Sequence, residues 1–237
     1  MRKFQYGALP PRLPFGLSTL GTYAIGKLPQ PPASVDAPVG VTWGMDDNDR
    51  LGCCTIAGVD HLIAAWNAEL NETDPRPTDA EIQSTYFSIT GGQDTGCVEA
   101  DVLKLWQTKG LFGNKIAAYA PVHPQNVIEL HQAIAFYGGA YLGIACPASA
   151  QEQFQAGQPW TYVPGSPIEG GHCIDAVGFT STSLICVTWG ALVEVTYGFM
   201  AHFASEAWAV ISQELVEKGS DNFNLDLKTL RADLARV

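Results

Sequence analysis

The sequence predicts an α+β fold with helices and strands in separate layers. Two observations predict it. Before Gly139, apolar residues recur at helical spacing in four segments; after it they fall into short apolar runs bounded by turn residues. Helices first and strands second is the order of a segregated α+β domain, not of alternating βαβ units. At 237 residues with 46% hydrophobic residues, the chain is long enough to bury a substantial core.

Residues 1–30 are rich in proline and glycine and read as an extended arm, which either folds over a cleft as a short plug or packs on the surface. The main domain is assigned to 31–212, with a helical lobe over about 50–125 and a strand-rich lobe over about 126–200. A helix from Cys54 to about Leu70 is apolar nearly all round in its first half, as expected inside a domain. Thr78 and Glu81 form a capping-box pattern for a second helix. Val102, Leu105 and Trp106 share a face of a third, which Gly110 ends, and "QNVIELHQAIAFYGG" supplies a fourth. "AYLGIAC", "HCIDAVGF", "SLICVTWG" and "LVEVTYG" read as buried strands. "MAHFASEAWAVISQELVEKG" reads as helix, and a 213–237 extension closes with a stripe of Leu227, Leu230, Leu234 and Val237.

The formal net charge of -11 repels nucleic acid and anionic lipid, so neither is an expected partner. The most apolar run, Ala133 to Cys146, is broken by Gly138-Gly139 and too short to span a bilayer. Six cysteines are too sparse for a disulfide scaffold, and the start lacks an apolar signal segment; a reducing, cytoplasmic setting is the expectation. No metal and no cofactor are expected.

"NDRLGCCTIAGVDH" places Cys54 where a helix begins. Buried cysteine can serve as a small hydrophobe, but a thiol at a helix N-terminus also ionises more readily, and the thiolate is the nucleophile. A nucleophile needs a base within reach and donors for the oxyanion that forms. Of five histidines, His123, His131 and His202 occupy loop or partly polar helical contexts. His61, seven residues along the helix, lies about 10 Å from Cys54 and suits a structural role. His172 differs: it opens an apolar strand directly after Gly170-Gly171, at the edge of a cleft between lobes.

Taken in order over residues 31–200, the segments resemble those of the papain-like cysteine peptidases. "PPASVDAPVGVT" resembles the start of their mature chains. "NDRLGCCTIAG" resembles the nucleophile segment Q-G-x-x-G-S-C-W, and more closely the Q-G-x-L-G-S-C-T form of some bacterial relatives. "TGCVEADVLKLWQTKGLFG" is similar to G-C-x-G-G and the helix after it. "GGHCIDAVGF" resembles G-x-H-A-V-x-x-V-G-Y, and "SLICVTWG" stands where the family carries N-S-W-G.

The resemblance implies a two-lobe α+β fold with its site in the cleft, and peptide or protein as substrate. It makes Cys54 the nucleophile, His172 the base and Asn48 the side-chain donor to the oxyanion, on a shorter arm than the family's glutamine. Gly52, Cys53, Gly171 and Trp189 become cleft residues. Cys97 matches a cysteine that forms a disulfide in extracellular relatives, but the partner position here is Leu51. Val187 stands at the orienting asparagine's position and cannot hydrogen-bond. Strand parity turns both Thr188 and Asp175 away from His172. Two functions follow: a thiol hydrolase acting through an acyl-enzyme, or a catalytically silent scaffold that binds a partner.

Overall fold

The computed structural model describes residues 4–72, 76–217 and 224–237. Helix α1 (Cys54–Leu70) is buried along every face from Cys54 to Asn67, as its all-round apolar sequence requires, and Asn71 ends it in the left-handed conformation. In α2 (Asp79–Thr90) the capping box closes both ways: Thr78 N–H donates to Glu81 Oε2 at 2.8 Å and Glu81 N–H to Thr78 Oγ1 at 3.3 Å. Helix α3 (Glu99–Lys109) stops at Gly110, and α4 (Val127–Tyr137) stops at Gly138.

Six strands form one antiparallel sheet in the order β1-β6-β2-β3-β4-β5. They are β1 (Ile116–Pro121), β2 (Ala140–Pro147), β3 (Ile168–Phe179), β4 (Ser183–Thr188), β5 (Ala191–Thr196) and β6 (Ala204–Ser212). β1, from an otherwise helical stretch, joins one edge beside β6. Short helices α5 (Ala148–Gln155), α6 (Tyr197–Phe203) and α7 (Gln213–Glu217) follow β2, β5 and β6. α1 packs on β3 at Gly58, where an added Cβ would lie 2.8 Å from the Tyr141 ring and 2.9 Å from Asp175. That close approach carries the first turn of α1 to the sheet.

One element departs from the sequence reading. The helix expected over Met200–Gly219 ends at Phe203, and Ala204–Ser212 is strand β6 (Gly219 lies outside the described residues). Flanked by β1 and β2, with α4 packed on it, β6 is buried at every position but Ser205. That burial overrides the helical propensity of its alanines and glutamate. The terminal stripe lies on α8 (Leu227–Leu234), whose Leu230 and Leu234 are buried and whose Arg231 Nε donates to Ala117 O at 3.0 Å. All six cysteines are free, and among the described residues no helix is long and apolar enough to cross a membrane.

Candidate active site

The Asp46–Gly52 loop delivers Cys54 to the sheet. Asp46 and Asp47 take left-handed backbone conformations, and Gly52 N–H is anchored on Asp94 Oδ1 at 3.0 Å. As the first residue of α1, Cys54 meets β3, where its Sγ accepts a hydrogen bond from Cys173 N–H at 3.4 Å. The sulfur therefore lies against the residue next to His172.

His172 is held from two sides. Its Nε2 is 2.7 Å from Thr188 Oγ1, and its ring stacks on Trp189 with centroids 4.5 Å apart. Nδ1 is buried without a hydrogen-bond partner. The sequence expectation that Thr188 faces away is corrected. Val187 pairs with Asp175 across the β3–β4 ladder, so one further step sets Thr188 beside Ile174, on the face that His172 shares. Val187 takes the opposite face with Asp175. The polar group that orients the imidazole comes from the position after the valine.

The N-terminal arm occupies the cleft. Residues 5–9 run extended between the loop before α1 and the start of β3. Gln5 N–H donates to Asn48 O (3.2 Å), and both Gly7 and Ala8 N–H donate to Gly171 O (3.0 Å each). Cys97 N–H donates to Gly7 O and Leu9 N–H to Cys97 O, each at 2.9 Å. Gly7 passes so close to the loop that a Cβ on it would overlap the Gly52 carbonyl oxygen, and a Cβ on Gly171 would overlap Ala8 O. Phe4 stacks on Trp189 at 4.6 Å, and Tyr6 sets its edge 5.8 Å from the His172 ring. Of the two fates open to the arm, plug or surface, residues 4–9 take the first.

Under that cover Cys54 and His172 are both held neutral. Burial pushes the Cys54 thiol up to about 12, against the opposing effect of the Cys173 N–H, with the nearby Glu99 adding to the rise. Burial drives His172 down to about 3, helped by the positive charge on His61. The covered pair is thus a thiol and a neutral imidazole.

The remaining predicted residues are placed as follows. Asn48 is buried and spends one amide N–H on Leu51 O at 3.1 Å, inside its own turn. Cys53 donates its thiol to Asp46 O at 3.3 Å, and burial raises its pKa. Gly52 and Gly171 form the two walls that the arm touches. Trp189, at φ 46, covers His172. His61 is structural, as its spacing implied. Its Nε2 lies 2.9 Å from Gly44 O and 3.2 Å from Asp46 Oδ2, and its Nδ1 3.5 Å from Asp175 Oδ2. Burial opposes its charge, but the Asp175 and Asp46 carboxylates prevail and lift its pKa to about 10. Sequence reasoning missed Thr188, which a register for β3 and β4 would have found, and left the fate of the arm open.

Solved structures place this architecture. Xylellain, a cysteine protease from Xylella fastidiosa, matches with a TM-score of 0.67 at 16% identity, over 89% of this chain and 98% of its own. The procathepsin L 3 of Tenebrio molitor larval midgut matches at 0.60 and 11% identity, over 87% of this chain and 76% of its own. The fold is that of the papain-like cysteine proteases. The Carica candamarcensis cysteine protease CMS1MS2, in complex with E-64, shares it with a TM-score of 0.55 at 14% identity, over 76% of this chain and 98% of its own. No family model and no curated sequence matches the chain. The papain-like architecture thus stands on backbone geometry alone.

Proposed function

We propose that the chain is a papain-like thiol hydrolase, a cysteine peptidase or amidase, whose own N-terminal arm covers the site. One observation carries this reading. The cleft binds an extended peptide by its backbone, holding two consecutive N–H groups on Gly171 O beside the Cys54 sulfur. A groove that takes the arm this way is suited to a substrate peptide on the same track.

Once the arm leaves, water enters and the desolvation that keeps both groups neutral falls away. With the His172 Nε2–H donated to Thr188 Oγ1, Nδ1 presents the lone pair that takes the Cys54 proton. The thiolate adds to the substrate carbonyl carbon, and the carbonyl electron pair moves to oxygen. That oxyanion is received by the Cys54 backbone N–H and the second N–H of Asn48. Collapse expels the amine, which takes the proton from His172, and leaves a thioester on Cys54. Water, giving its proton to His172, then releases the acid and restores the thiol.

The test is thiol reactivity in the full chain carrying Gly7→Ala, in which the arm is displaced. Iodoacetamide is expected to react at Cys54 ahead of the other five cysteines and at a pH well below an ordinary thiol's pKa of about 8.5. Adding His172→Ala should abolish that preference. Equal labelling of all six thiols in the Gly7→Ala chain would overturn the hydrolase reading in favour of a silent scaffold, the function that Val187 suggested.

A further inference from the structure

The arm has a second anchorage. Past the plug it crosses the surface from Pro10 to Gly16, with Phe15 fully exposed and Leu13 largely so. Along this strap the exposed ion pair of Arg12 with Asp101 is the one side-chain tie among the described residues, and such pairs hold weakly. Then the chain is gripped again. Leu20–Tyr23 form a single 3₁₀ turn in which Leu20 and Tyr23 are buried. Tyr23 Oη accepts from Ser18 N–H at 3.0 Å and donates to Asp233 Oδ2 at 3.1 Å. Ile25 N–H donates to Asn224 O and Asp226 N–H to Tyr23 O, each at 2.7 Å, which pairs Ala24 with Leu225 in an antiparallel bridge.

The partner in this grip is the other end of the chain. Among the described residues, 18–25 form hydrogen bonds only with one another and with 224–237. The 224–237 segment is seated in turn on the body: Leu225, Leu230 and Leu234 are buried, and Arg231 Nε donates to Ala117 O of β1. The arm thus has two grips with different partners, the cleft at 5–9 and the C-terminal segment at 18–25. Leu9 and Ser18 are nine positions apart by their numbering. Without the second grip, the next hydrogen bond from the arm to the body among the described residues is at Pro29, twenty positions from Leu9, whose O accepts from Gln132 Nε2 at 3.0 Å. The effective concentration of a tethered end falls roughly as the −3/2 power of tether length, so the second grip raises that of the plug in the cleft about threefold. Pro10, Pro11 and Pro14 stiffen the strap, so this flexible-chain factor is a lower bound.

We propose that residues 224–237 are a latch on the arm, so that docking of the C-terminal segment and closure of the cleft strengthen each other. Each favours the other by the same factor, because coupling between two sites is reciprocal. Lifting the C-terminal segment therefore shifts the arm towards the open cleft without touching Cys54, and displacing the plug loosens the latch. The strap between the two grips carries the coupling. As a means of regulating hydrolysis the proposal rests on the hydrolase reading; as a coupling of the two grips it does not.

The experiment reads both grips by amide hydrogen exchange in the full chain, where rates follow the local opening equilibrium. Gly7 and Ala8 report the plug, and Ile25 and Asp226 the latch. Tyr23→Phe combined with Ile25→Pro removes the hydroxyl and one of the two amides that hold the latch, and release is seen as fast exchange at Asp226. Gly7 and Ala8 are then expected to exchange about threefold faster or more, and iodoacetamide to label Cys54 faster by the same factor. Where the point changes leave Asp226 protected, deletion of 224–237 removes the latch outright and the plug amides are read again. In Gly7→Ala, with the plug displaced, Ile25 and Asp226 should exchange faster by that factor too. Plug amides unmoved once the latch is released, or latch amides unmoved in Gly7→Ala, would each overturn the proposal. Acceleration of the α1 amides by the same factor would mark a loosening of the whole fold and count against the latch. Faster plug exchange with an unreactive Cys54 would keep the latch and remove the hydrolase. Preferential labelling of Cys54 in the Gly7→Ala chain, with the latch amides unmoved there, would do the reverse.

Discussion

Gly7→Ala is the sharpest perturbation of this molecule because the position leaves no room for a single methyl. The Cβ it adds would overlap the Gly52 carbonyl oxygen, which is backbone and cannot rotate away. The arm must therefore lift at Gly7, and three hydrogen bonds go with it: Gly7 and Ala8 N–H to Gly171 O, and Cys97 N–H to Gly7 O. At about 1 kcal/mol net for each bond, the closed arm loses about 3 kcal/mol relative to the open one. A 1.4 kcal/mol change is tenfold in an equilibrium, so the open population rises about a hundredfold. Iodoacetamide labelling of Cys54, followed by mass spectrometry at pH 7.5, should accelerate by a similar factor. Circular dichroism guards against unfolding as the cause, since the arm contributes little regular structure. Phe4→Ala, which removes the ring stacked on Trp189 without touching the loop, should give a smaller rise in the same direction. Unchanged labelling in both variants, with hydrogen exchange showing residues 5–9 released, would refute the reasoning, because the arm would then not be what shields the thiol.

Three further outcomes follow from the site. Thr188→Val keeps the shape but removes the hydroxyl bonded to His172 Nε2; in the Gly7→Ala chain it should lower Cys54 labelling about tenfold and shift its pH profile upward, whereas Val187→Asn, on the opposite face, should not restore it. The pKa of His61 is raised in the fold from 6.5 to about 10, so the stability it contributes is complete below about pH 6.5 and is lost as pH rises through about 10. Denaturant midpoints measured from pH 6 to 10 should fall along that limb, and in His61→Gln the fall should flatten. That variant should also be about 3–5 kcal/mol less stable near pH 7, because it leaves Asp46 and Asp175 buried without their cation. In the wild type, with burial holding the Cys54 thiol near 12, labelling should stay slow and nearly flat from pH 6 to 8.

The parts legible in the sequence are those whose local signals agree with their burial. α1 could be located because its apolar residues surround the helix and a cysteine pair precedes them, and α2 because Thr78 and Glu81 cap each other. β6 was not legible, since its alanines and glutamate favour helix by propensity and only its place between β1 and β2 makes them strand. The orienting group at His172 failed for a different reason. Parity counted along β4 from Val187 says where Thr188 points only once the register with β3 is known, and register is a tertiary property. The approach of two buried acids, Glu99 and Glu206, to Gly143 of β2 was invisible for the same cause: 107 positions apart by their numbering, they are brought to one glycine only by the packing of α3 and β6.

These features interlock in one electrostatic argument. A helix N-terminus favours a thiolate at Cys54, yet burial outweighs it while Gly7 and Tyr6 exclude water. The same burial, helped by the positive charge on His61, removes the positive charge that His172 would otherwise offer, so sulfur and imidazole are held neutral together. On the proposed hydrolase reading, removing the arm weakens both shifts at once, because hydration favours the anion on one side and the cation on the other. The charges that remain buried with the arm in place, His61 among Asp46 and Asp175, are those that join α1 to its loop and to β3. On the proposed hydrolase reading, the charge that joins α1 to its loop and to β3 is thus kept fixed, while the charge that the Cys54–His172 pair would use is conditional on an open cleft.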